Sequence, residues 1–307
     1  MRQELADRLL KGDKLACARL ISMVENESDG YLDALKAVYH KADDAYIIGI
    51  TGPPGAGKST LTDKLAKILL DQGEKVGIIA VDPTSPFSKG AILGDRVRMS
   101  NAADAKNVFI RSMGARGHLG GLAKSTANAL VILAAYGCSY IFVETVGVGQ
   151  SEIEIAKTAD TTLMVLAPGL GDDIQAIKAG IMEIGDVFAV NKADRDGAAK
   201  TYRETLASLD FKTDWGFKPP VCLTVAETGE NVLDLLNYCM AHKQYLTDSG
   251  ELLRKRAAKK AAHAKEIIKD KLSRKVDALL AGAGDELGDL DPYAFSQKIL
   301  AQIEKQE

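Results

Sequence analysis

Tyr46-Ile-Ile-Gly-Ile-Thr51-Gly52-Pro53-Pro54-Gly55-Ala56-Gly57-Lys58-Ser59-Thr60 is the stretch on which the fold turns. Tyr46 to Ile50 is a short apolar run, the pattern of a strand buried on both faces. Gly52 to Ser59 then follows G-x-x-x-x-G-K-[ST]. Leu61, Leu65, Ile68 and Leu69 continue at helical spacing. Strand, glycine-rich loop and helix, in that order, are the setting in which such a loop cradles phosphate. Gly52, Gly55 and Gly57 let the backbone curl so that its N–H groups converge on phosphate oxygens. The helix N-terminus adds partial positive charge. Lys58 would reach the β- and γ-phosphates as a point charge, and Ser59 would ligate Mg²⁺. The pattern implies a nucleoside triphosphate site, with residues 52–60 as its phosphate cradle.

Around this motif, the 307 residues are 46% hydrophobic and 26% charged, which suits one large α/β domain with extensions, or two domains. A net charge of −3 makes no global case for nucleic acid. Cys17, Cys138, Cys222 and Cys239 are scattered without a C-x-x-C, which fits reduced thiols in a cytoplasmic protein. The opening Met1-Arg-Gln-Glu-Leu-Ala-Asp7 is too polar for a signal or transit peptide. No apolar run approaches ~18 residues, so no membrane span is expected.

Residues 1–44 read as three helices. Leu5, Leu9 and Leu10 mark the first, which Gly12 can close. Asp13 can cap a second, with Leu20, Ile21 and Val24. Leu32, Leu35, Val38 and Tyr39 mark the third. After the first strand, residues 76–82 form another apolar run ending in Asp82, which is placed either to help hold Mg²⁺ or to serve as a turn carboxylate. Asp95, in the loop region beyond, is a second metal candidate. A short strand over residues 107–111 precedes the glycine-rich loop Ser112-Met-Gly-Ala-Arg116-Gly-His118. Arg116 could stabilise charge at the γ-phosphate or belong to a docking surface, and His118 reads as solvated.

Tyr140-Ile-Phe-Val-Glu144-Thr-Val-Gly147 is a further strand ending in a carboxylate. Acid, two residues, then glycine is the shape of a GTPase switch: Glu144 would organise Mg²⁺ or its water, and the Gly147 N–H can sense the γ-phosphate. Val148 follows Gly147 where many GTPases carry Gln, and Gln150 is the nearest Gln. Slow intrinsic hydrolysis, raised by a partner, is the expectation. A fifth strand over 161–167 leads to Asp172-Asp173, either a helix cap or a third nucleotide-sensing element. A sixth ends in Asn191-Lys192-Ala193-Asp194. The Asp194 carboxylate can accept from guanine N1–H and the 2-amino group, a donor pair adenine lacks. Asn191 would steady the loop and the Lys192 stem would cover the base. After a last strand, the base-side loop Val225-Ala226-Glu227 brings the Ala226 N–H toward guanine O6.

Residues 251–280 read as one long helix with an apolar stripe at Ile268, Leu272, Val276 and Leu279/Leu280. From Glu251 to Lys275 there are ten Lys/Arg against three Asp/Glu. This is a nucleic-acid surface or, favoured by the acidic whole, a solvated face of a dimer or partner helix. Asp291-Pro292 opens a final helix with Phe295, Ile299, Leu300 and Ile303. The expected organisation is a helical extension over 1–44, a GTPase domain over 45–248 and a helical dimerisation arm over 249–307.

Together these motifs resemble the methylmalonyl-CoA mutase-associated GTPases, the MeaB/ArgK family. The matching strings include residues 52–60, Val81-Asp-Pro-Thr-Ser-Pro86, Ile92-Leu-Gly-Asp95-Arg96, residues 111–122, Glu144-Thr-Val-Gly-Val-Gly-Gln150-Ser151 and Asn191-Lys-Ala-Asp194. The resemblance implies a three-layer α/β P-loop NTPase fold, with a mostly parallel sheet and helical extensions. It further implies a homodimeric GTPase, binding GTP/GDP and Mg²⁺, that chaperones an adenosylcobalamin-dependent acyl-CoA mutase. Hydrolysis would gate cofactor loading and protect the mutase. By position, Ser59, Asp82, Asp95 and Glu144 would surround Mg²⁺, and residues 172–178 would signal to the mutase. Val225 stands where the family has Ser. Two rival classes share the loop. A nickel-delivery GTPase calls for a His-rich tract or paired Cys/His ligands, and the four His here lie far apart. A P-loop kinase linked to transport is opposed by the guanine motif.

Overall fold

The computed structural model describes residues 2–82, 107–114, 119–145, 151–169, 183–282 and 291–304. The chain forms two compact units, Met1–Ala257 and Ala258–Glu307.

In the first unit the apolar runs become strands β1 (Tyr46–Thr51), β2 (Val76–Asp82), β3 (Val108–Gly114), β4 (Tyr140–Thr145), β5 (Thr161–Leu166), β6 (Val187–Asn191) and β7 (Val221–Thr224). They make one sheet in the order β3-β2-β4-β1-β5-β6-β7, with every ladder parallel. Parallel strands need crossovers, so helices cover both faces and the strands are apolar on both sides. Alternation sorts the side chains. Ile78 and Val165 enter a core with Leu61, Leu65 and Leu69 of α4 (Lys58–Asp71). Ile79 and Ile141 enter the core on the opposite face.

That second core is built by the N-terminal helices α1 (Arg2–Leu10), α2 (Lys14–Glu25) and α3 (Tyr31–Val38), with α5 (Leu119–Ala135). Gly12, at φ +80°, ends α1. Asp13 caps α2, accepting from the Leu15 and Ala16 N–H groups at 2.8 and 3.1 Å. On α3 the buried face is Ala34, Leu35 and Val38. Leu32 and Tyr39, expected on that stripe, are exposed, because Tyr39 falls past the helix end and Leu32 lies on its outer side. Arg111 of β3 pairs with Glu25 of α2 and fastens this block to the edge of the sheet. Strand β3 also runs further than its apolar pattern predicts, to Gly114, because its ladder with β2 continues through Asp82↔Gly114.

Among the described residues the helices α6 (Ser151–Thr158), α7 (Ala198–Asp210), α8 (Val232–Asp248) and α9 (Glu251–Gly282) follow. Helix α8 packs Leu235, Leu236 and Cys239 into the α4 side of the sheet. All four cysteines are buried and unbridged. In the second unit, α10 (Pro292–Glu304) is capped by Asp291 and buries Phe295 and Ile299. Helix α9 buries no residue, and Ile268, Leu272 and Leu300 are exposed. Among the described residues no helix is long and apolar enough to cross a membrane.

Candidate functional site

The site lies where open parallel sheets bind ligands, at the carboxyl ends of the strands. Strand β1 delivers the chain to the loop at the sheet centre. Gly52, at φ +138°, passes so close to β5 that a Cβ there would lie 2.0 Å from the Val165 carbonyl oxygen. Gly57, at φ +90°, would set a Cβ 2.3 Å from Asn191 Nδ2. These two glycines are requirements of space as well as of backbone angle. The loop then feeds straight into α4, whose first residue is Lys58. Lys58 is buried, and its Nζ donates to the loop's own carbonyls, Gly52 O at 2.9 Å and Pro53 O at 3.0 Å.

Glu144, the penultimate residue of β4, is 7% exposed and faces the start of α4. The Ser59 hydroxyl donates to Glu144 Oε1 at 2.5 Å. The Thr62 hydroxyl lies 3.3 Å from Glu144 Oε2 and 2.9 Å from the Lys58 carbonyl oxygen. Behind this group, the buried Thr51 and Thr145 hydroxyls meet at 3.1 Å and tie the root of the loop to the root of the segment after β4. A hydroxyl and a carboxylate side by side beneath a phosphate loop are an all-oxygen donor set. Such a set fits Mg²⁺, which takes few protein oxygens and completes its shell with water and phosphate. Asp82 ends β2 beside β4, one residue beyond the Val81↔Thr145 pair, but its side chain lies outside the described residues. Asp95, Arg116, Gly147, Gln150, His118 and residues 172–178 also lie outside them.

The base side is built from the ends of β6 and β7. Asn191 is 2% exposed. Its Nδ2 donates to Ala56 O at 2.8 Å, and its Oδ1 accepts from the Ala226 N–H at 3.0 Å. One side chain thereby joins the phosphate loop to the loop after β7. Lys192 stands at φ +59° and its Nζ reaches Gly55 O at 2.7 Å. A pocket opens here, lined by Gly57, Thr60, Asn191, Lys192, Asp194, Arg195, Val225, Ala226 and Glu227. The expected residues 191, 192, 194 and 225–227 are thus brought together with Gly57 and Thr60. The Ala226 N–H, expected to meet guanine O6, donates to Asn191 Oδ1.

Thr62, Thr145 and Arg195 join the site without belonging to the motif positions that announce it. Thr62 carried a signal, being a hydroxyl three residues after Ser59 on a helix side otherwise held by Leu61, Leu65 and Leu69. Thr145 and Arg195 carried none beyond adjacency to a motif.

Comparison with known proteins adds a family context. Residues 17–281 match the family model described as methylmalonyl Co-A mutase-associated GTPase MeaB. A protein of Pyrococcus horikoshii is 51% identical, over 98% of this chain and 98% of its own length. GTPase ArgK of Escherichia coli is 36% identical over 80% of this chain and 77% of its own length. The mitochondrial methylmalonic aciduria type A homolog of Mus musculus is 32% identical over 83% of this chain and 67% of its own. Among solved structures, one described as an LAO/AO transport system kinase superposes with a TM-score of 0.74 at 24% identity, over 99% of this chain and 97% of that one, a likeness of fold.

Proposed function

Because the chain belongs to the family of methylmalonyl Co-A mutase-associated GTPases, we propose that it hydrolyses GTP to GDP and phosphate in the service of an adenosylcobalamin-dependent acyl-CoA mutase. Hydrolysis gates cofactor loading and protects the mutase. The observation that supports the guanine part is Asp194 lining the pocket beside Asn191, which bonds both Ala56 of the phosphate loop and the Ala226 N–H. A base accepted by Asp194 therefore has its triphosphate directed along residues 52–60.

The chain's own groups then have distinct tasks. Lys58 exchanges its two carbonyl contacts for phosphate oxygens, a gain in charge complementarity. The N–H groups of the loop and of the first turn of α4 bear on the β-phosphate. Ser59 and Glu144 would hold Mg²⁺, which when bound would supply positive charge against the phosphate oxygens. In the reaction, water forms the new bond to phosphorus, the bond from phosphorus to the GDP oxygen breaks with its electron pair staying on GDP, and both water protons leave on the phosphate as H₂PO₄⁻, which releases one to solvent. Val148 provides no side-chain amide to orient that water. Turnover without a partner is therefore slow.

The mutase assignment draws on the family and on the relative named for methylmalonic aciduria. Steady-state hydrolysis of GTP and ATP, with and without candidate acyl-CoA mutases, tests it. The expected result is slow turnover of GTP alone, raised many-fold by one mutase. Hydrolysis of ATP at a comparable rate would overturn the role of Asp194. Indifference to every mutase, with no complex formed, would overturn the chaperone role while leaving the GTPase.

A further inference from the structure

We propose that Thr62 is a positioning residue that sets the plane of the Glu144 carboxylate for Mg²⁺ binding; the proposal rests on the reading of this site as a GTP site. Helix α4 places residues 59 and 62 about one turn apart, on the same side. Their hydroxyls bracket the carboxylate, with Ser59 at Oε1 (2.5 Å) and Thr62 beside Oε2 (3.3 Å). Thr62 is fully buried and Glu144 nearly so. The last torsion of a glutamate side chain is broad. A hydroxyl at each oxygen narrows the range its plane can take.

The Thr62 hydroxyl has one proton and two acceptors. Lys58 O is nearer, at 2.9 Å. The carboxylate carries the charge, and hydrogen bonds to ionised acceptors are the stronger ones. The Lys58 carbonyl also serves the ladder of the helix. Proton donation to Glu144 keeps Oε2 turned toward Thr62 and leaves Oε1 for Ser59 and the cation. The same hydroxyl touches the backbone of the phosphate-binding lysine, so carboxylate and lysine share one anchor.

The test compares wild type with Thr62→Val, which keeps shape and removes the hydroxyl, with Thr62→Ala, and with Thr62→Ser, which restores the hydroxyl. Two quantities are read: release of fluorescently labelled GDP in EDTA and in saturating Mg²⁺, and the Mg²⁺ concentration for half-maximal GTP turnover. Thr62→Val is expected to raise the half-saturating Mg²⁺ about tenfold and to narrow the difference between the two release rates, with release in EDTA within about twofold of wild type. Thr62→Ser is expected to recover most of the loss. Wild-type Mg²⁺ dependence in both Thr62→Val and Thr62→Ala, whatever their melting temperatures, would make Thr62 a packing residue only and overturn the proposal. Failure of Thr62→Ser to differ from Thr62→Val would overturn it too. Failure of the wild type to bind labelled GDP would instead overturn the GTP reading itself.

Discussion

Asp194 and Gly57 put the guanine reading at its sharpest, since each has one task that a small change abolishes. In Asp194→Asn, the amide offers one acceptor oxygen where the carboxylate offers two, and its NH₂ group faces guanine donors. GTP affinity should fall about 100-fold or more, measured by calorimetry, with the fold intact by circular dichroism. Gly57→Ala acts through space. Its Cβ would collide with Asn191 Nδ2, and the backbone there is left-handed. Nucleotide affinity should drop by at least about tenfold, as strain is forced into the loop or Asn191 is pushed off Ala56. An alanine variant that binds GTP like wild type would show that the loop relaxes freely. Much of this was legible in the residues themselves. The two motifs announce their chemistry because few other side chains can perform it. What could not be read was how they interlock. Neither motif contains the Asn191–Ala56 bond, since it spans 135 positions of sequence. Nor could the Ala226 N–H be assigned an acceptor without knowing where Asn191 Oδ1 points.

Strands and helices were legible for a different reason: buried parallel strands and amphipathic helices write their periods into the chain. Their ends were less so, as the extension of β3 by its ladder with β2 illustrates. The basic first turns of α9 were also ambiguous in sequence, between a nucleic-acid surface and a solvated face. Within the first unit, Arg256 is engaged by Asp160, and Lys255 lies near Asp186. Further along α9, Lys269 and Arg274 pair with Glu266 and Asp270 on the same helix. These cations are spent on the chain's own carboxylates. Between α8 and the sheet, His242 supplies a pH-dependent element. It is 3% exposed, its Nδ1 is 2.8 Å from Thr161 Oγ1, and its ring lies 4.9 Å from that of Phe217. Burial holds its pKa below the ordinary histidine value, against the opposing pull of Asp186 and Asp160 and with the help of Lys255. The unfolded chain therefore takes up the proton first on acidification. Stability conferred by the neutral ring is full above about pH 6.5 and is lost as the pH falls from there toward the folded value. Melting temperatures of wild type measured from pH 7.5 to 5.5 should decline, and the decline should be shallower in His242→Phe. Parallel curves would assign the acid sensitivity to other groups.

At the amino-terminal ends of β1 and β5, Arg256 ties parts of the first unit together. Its guanidinium donates to Asp43 O at 2.5 Å, Ala45 O at 2.8 Å and Asp160 Oδ2 at 3.1 Å. The end of the N-terminal helical block, the entry to β1 and the approach to β5 thus converge on one side chain of α9. Asp160 is 1% exposed, so Arg256→Ala takes a guanidinium away from a buried carboxylate and should cost about 3 kcal/mol in urea unfolding. A loss under about 1 kcal/mol would mean that the pair behaves as a surface ion pair. For assembly we propose a homodimer through the second unit, where Ile268 and Leu272 of α9 and Tyr293 and Leu300 of α10 are exposed apolar side chains. Sedimentation equilibrium should give twice the mass of the 307-residue chain, and Ile268→Asp with Leu272→Asp should halve it. An unchanged mass in that double variant would place the contact elsewhere.

The four buried cysteines have a practical corollary. Burial pushes the Cys138 and Cys239 thiols up to about 12, that of Cys222 up to about 11, and that of Cys17 upward as well. At neutral pH the reactive thiolate is scarce at every one of them, and the surrounding side chains block approach. The native chain should therefore react only slowly with maleimides. A single cysteine introduced on the outer surface of α9 or α7 would be the one to take a dye, and a rise in labelling above one per chain would time the opening of the core.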